Sequence, residues 1–290
     1  MFHTAAELPG LGADVRLGVI GNPIAHSKSP QMQQAALDEA ALPYRYVRLL
    51  ADTEEGAFEQ LLAALAERGF AGVNVTVPFK KRAFAAAVQA DALSTLCGAA
   101  NTLVRKAEGW HCHNTDGPGF ARAIQELCGR PLSELRIVLL GACGGAGSAL
   151  AAQCALSHCR DLVLVNRPRL ELAQLADKLS PHYGRSIATC HFNTPELQAA
   201  VAEADLVVNA TSLGLKEGDA LPLPAEWLQP GQIVYDIVTH ATPLQQAAAA
   251  RGCTASDGLG MLLWQGAIAF EHWFGRLPSV ELMRRALQQS

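Results

Sequence analysis

Charge is scarce in this 290-residue chain. Asp, Glu, Lys and Arg make up 17% of it, against roughly 25% in an average soluble protein. Half of the residues are hydrophobic, which excludes a disordered chain, since disorder needs low hydrophobicity and high charge. There is no basic excess: the formal charge is −4, which argues against a broad nucleic-acid surface but leaves room for a small anion pocket. No apolar run reaches the ~18–20 residues of a membrane span. Residues 1–14 carry acids and a Pro-Gly and lack a basic stretch followed by an apolar one, so no secretory leader is expected. The eight cysteines contain no CxxC pair and read as reduced thiols of a cytoplasmic protein. His111 and His113 alternate onto one strand face with no third ligand nearby, so no metal is expected.

What is present is a regular alternation. Short β-branched runs (15–20, 44–50, 72–77) alternate with longer Ala- and Leu-rich ones (31–41, 54–68, 78–88), the signature of βαβ units and a largely parallel sheet. Residues 101–105 and 110–113 read as a hairpin. A second series follows Gly117-Pro118-Gly119: strands at 136–140, 161–165, 205–209 and 233–237, with helices at 120–127, 144–156, 169–179 and 196–204. Helices at 243–250, 261–274 and 280–288 end the chain. The expected class is α/β in two lobes, with a ligand between them.

The strand 137–140 runs into Gly141-Ala142-Cys143-Gly144-Gly145-Ala146-Gly147 and then a helix. Such a turn lets backbone approach a pyrophosphate, with the helix N-terminus supplying free N–H groups. It is not a regular GxGxxG: the second glycine is missing and the turn is one residue too long, and a tight turn with no ligand has the same appearance. The next strand ends in Asn166-Arg167-Pro168-Arg169, where an NAD-binding protein would place a carboxylate. A guanidinium suits a 2′-phosphate, so NADP is favoured over NAD; two solvated arginines are the plainer alternative.

The first lobe carries candidate chemistry. In GNPIAHSKSP (21–30), Ser27 and Ser29 share one side of an extended segment and can donate to a carboxylate or diol; Ser29 before Pro30 also fits a helix cap. In GVNVTVPFK (72–80), Pro78 opens a helix, placing Lys80 in its first turn beside Lys81 and Arg82. The helix dipole and the neighbouring charges then favour a neutral amine suited to proton transfer, and a surface lysine is the plainer reading. Asp116, in HNTDG (113–117), either caps the next helix or faces Lys80.

Together GNPIAHSKSP, GVNVTVPFK, GAANTL (98–103), HNTDG, NATSLG (209–214) and DGLGMLLWQGA (257–267), in that order, resemble the shikimate dehydrogenase family over about residues 17–275. The resemblance implies an N-terminal α/β substrate lobe (1–117), a Rossmann lobe (118–238) and C-terminal helices (239–290) that return to the first lobe. It implies reduction of 3-dehydroshikimate with NADPH by a cytoplasmic monomer or homodimer, with a small polyol carboxylate as ligand and no nucleic acid or membrane. By the same resemblance Ser27 and Ser29 bind the carboxylate, Thr76, Asn101 and Gln265 contact ring hydroxyls, and Lys80 with Asp116 form the catalytic pair. Gly141, Gly144, Gly145, Ala146, Asn166, Arg167, Arg169, Asn209, Ala210, Thr211, Gly258 and Met261 line the dinucleotide site.

The chain also departs from the family pattern. Thr239 stands where many members carry a substrate-contacting tyrosine, the glycine turn is lengthened at Cys143, and the second basic residue sits at Arg169 with Glu171 nearby. Room near Thr239 keeps quinate or aminoshikimate dehydrogenase, with NAD or NADP, as alternatives. A non-catalytic ligand-binding regulator is the alternative from another class; an intact Lys80 and Asp116 argue against it.

Overall fold

The computed structural model describes residues 2–168 and 170–289. They form two compact units, one of residues 1–119 with 263–290 and one of residues 120–262. The segment 239–290 is therefore divided: 239–262 lies in the second unit and 263–290 in the first.

The first unit opens with β1 (Val15–Gly21), α1 (Ser29–Glu39), β2 (Arg45–Leu50), α2 (Ala57–Glu67), β3 (Gly72–Val75) and α3 (Lys80–Ala86). It continues with β4 (Gln89–Ala90), α4 (Ala92–Cys97), β5 (Thr102–Lys106) and β6 (Gly109–His113). One sheet has the order β2-β1-β3-β5-β6-β4. β1 is parallel to β2 and β3, as the alternation predicts, and the β5–β6 hairpin then runs antiparallel to β3. Its core packs α2 on the sheet through Phe58, Leu61, Leu65, Phe70, Phe79 and Leu103. Phe79 stacks on Phe58 with centroids 5.1 Å apart, which anchors the residue before Lys80; burying such a ring stabilises by about 1.5–3 kcal/mol.

Three local expectations are corrected here. Pro78 does not open α3: the Phe79 N–H donates to the Thr76 carbonyl at 3.0 Å, closing a turn first, and the helix starts at Lys80. Residues 27–29 are not extended, and Ser29 is no cap; it is the first residue of α1, and the Ser27 hydroxyl accepts from its N–H at 3.4 Å. Gly117-Pro118-Gly119, where the two units divide, is not a loop ahead of the helix either. It lies inside α5 (Asp116–Cys128), in the first turn, where a missing proline N–H costs nothing.

The second unit holds β7 (Arg136–Leu140), α6 (Gly145–Leu156), β8 (Asp161–Asn166), α7 (Leu170–Tyr183), β9 (Ala188–His191) and α8 (Pro195–Glu203). β10 (Leu206–Asn209), β11 (Ile233–Asp236), α9 (Pro243–Ala250) and β12 (Thr254–Ser256) follow. All its strand pairs are parallel, in the order β12-β11-β10-β7-β8-β9. Counted from β7 this is 3-2-1-4-5-6, the order of doubly wound dinucleotide-binding sheets, whose ligands sit where the order reverses. Here that point is between β7 and β10.

α10 (Leu259–Phe274) and α11 (Val280–Gln288) end the chain. Within the first unit, the α10 residue Gly266 accepts at its carbonyl from the Gln33 amide at 2.9 Å, Trp273 Nε1 donates to the Leu103 carbonyl at 3.1 Å, and α11 packs on α1. A Cβ on Gly72 would lie 2.1 Å from Trp273 Nε1, so this docking requires glycine there. All eight cysteines are free thiols. Among the described residues no helix is long and apolar enough to cross a membrane.

Candidate active site

The first unit brings most of the residues expected at a substrate site into one hydrogen-bonded group. Lys80 Nζ lies 2.6 Å from Asp116 Oδ2, with the two side chains only 14% and 7% exposed. Asn101 Nδ2 donates to the other carboxylate oxygen, Oδ1, at 2.9 Å. The same amide nitrogen reaches Thr115 Oγ1 at 3.0 Å and Gln265 Oε1 at 3.2 Å, and Asn101 Oδ1 accepts from the Thr115 N–H at 2.8 Å. Both ends of the Asn101 amide are thereby fixed. Asp116 reads as the partner of Lys80, and its own N–H donates to Asn114 Oδ1 at 3.1 Å, so that Asn114 supplies the turn that starts α5.

Local packing explains why these groups meet. Buried Ala99 and Ala100 let the segment before β5 lie against α3, where the Ala100 N–H donates to the Lys80 carbonyl at 2.9 Å. Asn114 is held by its Nδ2 on the Ala99 carbonyl at 3.0 Å and by its N–H on Asp91 Oδ2 at 3.2 Å. Burial pushes the Asp91 carboxyl up, but hydrogen bonds from His113, Ser94 and Asn114 together outweigh it and hold the group below its ordinary range. A buried cation, carboxylate and amide on one point can bind a hydroxyl and move its proton.

Ser27, Ser29 and Thr76 come from the β1–α1 and β3–α3 connections. Arg48 fixes the first of these by donating Nε and Nη2 to the Ser27 carbonyl at 2.9 and 2.6 Å. A Cβ on Gly21 would lie 2.5 Å from Thr76 Cγ2 and 2.9 Å from Ile24 Cδ1, so glycine lets the two connections converge. Ser29 is buried. Thr76 is half-buried, and its hydroxyl has no hydrogen bond among the described residues. Thr239 belongs to the second unit, half-buried in the loop after β11.

In the second unit Gly141 follows β7, has φ +84°, and would place a Cβ 2.9 Å from the Ala210 carbonyl and the Thr211 nitrogen that follow β10. The extra residue at Cys143 is taken up in a turn closed by the Gly144 N–H on the Gly141 carbonyl at 3.1 Å. α6 then begins at Gly145 with no side-chain cap at Gly144, and a Cβ on Gly147 would lie 2.1 Å from the Gly141 carbonyl oxygen. An uncapped helix start beside a glycine cradle fits a pyrophosphate: the first-turn N–H groups have no acceptor within the helix, and Gly144, Gly145 and Ala146 add no bulk.

Asn209 is fully buried, with Nδ2 donating to the Leu213 carbonyl and to Asp236 Oδ1, both at 3.1 Å, and Oδ1 accepting from Thr211 Oγ1 at 2.7 Å. It shapes the turn that presents Ala210 and Thr211. Burial pushes the Asp236 carboxyl up against the hydrogen bonds it accepts from Val238, Thr242 and Asn209. Gly258 closes on Ile237, whose oxygen a Cβ would approach to 2.1 Å, and the Met261 N–H donates to the Tyr235 hydroxyl at 3.0 Å. Asn166 is half-buried at the end of β8, and Arg167 is exposed with no ion pair among the described residues. Arg169 lies outside the described residues. Among those described, no three His, Cys, Asp or Glu side chains are grouped as a metal would need.

Models of two protein families match the chain: the shikimate dehydrogenase substrate binding domain over residues 19–103, and the shikimate 5′-dehydrogenase C-terminal domain over residues 258–288. The NADP(+)-type shikimate dehydrogenase of Moorella thermoacetica is 38% identical over 277 residues, 94% of this chain and 92% of that one. The chain belongs to the shikimate dehydrogenase family. Solved members share the architecture. A shikimate dehydrogenase crystallised with NADP+ matches with a TM-score of 0.85 at 28% identity, covering 96% of each chain. The Thermus thermophilus shikimate 5-dehydrogenase, in complex with NADP(H) and shikimate, matches with a TM-score of 0.81 at 33% identity, covering 95% of this chain and 99% of that one.

Sequence reasoning left out Tyr46, Asn74, Thr102, Asn114 and Thr115 as site-building residues. For Asn74 and Thr102 the signal was there: uncharged polar side chains inside apolar strands need partners when buried. Tyr46 gave no comparable signal, because aromatic residues are ordinary in strands.

Proposed function

We propose that this chain is an NADP-dependent shikimate dehydrogenase, catalysing the reversible conversion of 3-dehydroshikimate to shikimate. The observation that carries the reading is the buried Lys80–Asp116–Asn101 group, with a 2.6 Å ion pair at its centre. In the oxidation direction, Lys80 and Asp116 hold the reacting hydroxyl; Lys80 in its neutral amine form takes up the proton, and Asp116 then pairs with the ammonium so formed and orients it. Asn101, Thr76 and Gln265 bind ring hydroxyls, and Ser27 with Ser29 donate to the carboxylate without burying a further cation. Bound NADP+ supplies a hydride acceptor; its pyrophosphate is held at Gly141, Gly144, Gly145 and Ala146. Ala210 and Thr211 would line its path, Arg167 would pair with the 2′-phosphate, and Gly258 with Met261 would border the nicotinamide. Proton transfer of this kind contributes on the order of 10²–10⁴-fold.

The reading places the enzyme in the cytoplasm, where eight free thiols stay reduced. It works as a monomer or homodimer, and the net charge of −4 suits a protein without a nucleic-acid partner. The test is absorbance at 340 nm with shikimate or quinate and each of NADP+ and NAD+. Turnover greatest with shikimate and NADP+ supports the reading. Tight shikimate binding with no turnover of either acid would reject it in favour of a sensor.

A further inference from the structure

The polar groups beneath the Lys80–Asp116 pair form a directed chain. Tyr46, on β2 and 5% exposed, donates its hydroxyl to Asn74 Oδ1 at 2.7 Å. Asn74 Nδ2 donates to Thr102 Oγ1 at 3.1 Å, and Thr102 Oγ1 donates to Asn101 Oδ1 at 3.3 Å. Asn101 Nδ2 in turn donates to Asp116 Oδ1 at 2.9 Å. These four bonds run toward the same carboxylate, the arrangement in which successive hydrogen bonds polarise one another, with side branches from Asn74 Nδ2 to the Asn101 carbonyl at 3.3 Å and between the Thr102 and Thr115 hydroxyls at 3.4 Å. Asn74, Thr102 and Asn101 are all buried, so no solvent competes for these bonds.

We propose that Tyr46 is a positioning residue for the reaction, its hydroxyl acting through Asn74 and Thr102 to set the Asn101 amide and, through it, the Asp116 carboxylate. This rests on the dehydrogenase reading above. An asparagine amide placed by packing alone can turn over, exchanging oxygen for nitrogen with little change in shape. In that flipped state Asn101 would present its oxygen to Asp116 and repel it. The Thr115 N–H, on Asn101 Oδ1 at 2.8 Å, opposes the flip, and Thr102 reinforces that hold when its proton points at the same oxygen. The Thr102 oxygen is committed to accepting from Asn74, and Asn74 is oriented in turn by the Tyr46 hydroxyl on its Oδ1. Burial keeps that phenol protonated by pushing its titration well up. Tyr46 is thus the hydroxyl at the far end of this network, bonded to Asn74.

The experiment compares wild type, Tyr46→Phe, Thr102→Val and Thr102→Ser in shikimate oxidation with NADP+, with thermal melts alongside. Tyr46→Phe keeps the ring against Trp273, whose centroid lies 6.2 Å away. The expected result is a fall of about tenfold in kcat for Tyr46→Phe and for Thr102→Val, with KM for NADP+ unchanged. Thr102→Ser, which keeps the hydroxyl, is expected to recover to within about twofold of wild type. Wild-type kcat in both Tyr46→Phe and Thr102→Val overturns the proposal, and so does a Thr102→Ser enzyme as impaired as Thr102→Val, which would mark a packing effect. Should Tyr46→Phe fail to fold, the two Thr102 variants decide alone. An inactive wild type would instead overturn the dehydrogenase reading and the relay with it.

Discussion

Gly141 and Ala210 meet with no space between them: a Cβ on Gly141 would lie 2.9 Å from both the carbonyl carbon and oxygen of Ala210, and Gly141 has φ +84°. The contact joins the ends of β7 and β10, the two strands at which the order of the second sheet reverses. Gly141→Ala therefore imposes both an unfavourable backbone region, costing about 1–2 kcal/mol, and a steric overlap of about 1–3 kcal/mol. The expected outcome in steady-state kinetics is a KM for NADP+ raised about tenfold or more, with the KM for shikimate nearly unchanged. A matched fall in thermal stability is expected in the same protein.

Arg167 is exposed at the end of β8 and has no acidic partner among the described residues. A guanidinium bonded to a 2′-phosphate contributes about 1.5–3 kcal/mol. Arg167→Ala should raise the KM for NADP+ by about 10–100-fold and leave the KM for NAD+ almost unaffected. Equal changes with both cofactors would show that Arg167 is a surface residue only.

His272 packs face to face on His113, with ring centroids 3.9 Å apart. Burial, reinforced by the neighbouring His113 and opposed by Asp91, lowers the His272 imidazole from its ordinary value to about 4. The folded state thus binds this proton more weakly than the unfolded state. Its stability contribution is full above about pH 6.5 and is lost as pH falls toward 4. Because the residue as a whole is exposed and solvent screens the ring, the loss is on the order of 1 kcal/mol rather than the full linkage value. Denaturant melts at several pH values should show this slope in wild type and a flatter one in His272→Phe.

Much of the fold was legible because apolar periodicity reports burial directly. β7, α9 and α11 begin and end where the pattern does. The missed strands carry little signal: β4 has two residues, and β9 and β12 are short edge strands of Ala, Thr, Ser, Cys and His; α4 was missed as well, although Asp91 caps it and Gly98 ends it. Turn chemistry shifted the start of α3, where a Thr76–Phe79 turn intervenes after Pro78. At the candidate site, Lys80, Asp116 and Asn101 were legible by resemblance, and the structure brings them together. Which carboxylate oxygen each one uses, and the Tyr46–Asn74–Thr102 chain beneath them, depend on register between β2, β1, β3 and β5. No local pattern encodes that register.

The central claim is that Lys80, held by Asp116 at 2.6 Å, moves the substrate proton. Its most direct test is the steady-state kinetics of Lys80→Ala in shikimate oxidation with NADP+. The account predicts a kcat lower by on the order of 10²–10⁴-fold, with the KM for shikimate changed far less. A Lys80→Ala enzyme that keeps wild-type kcat would contradict it.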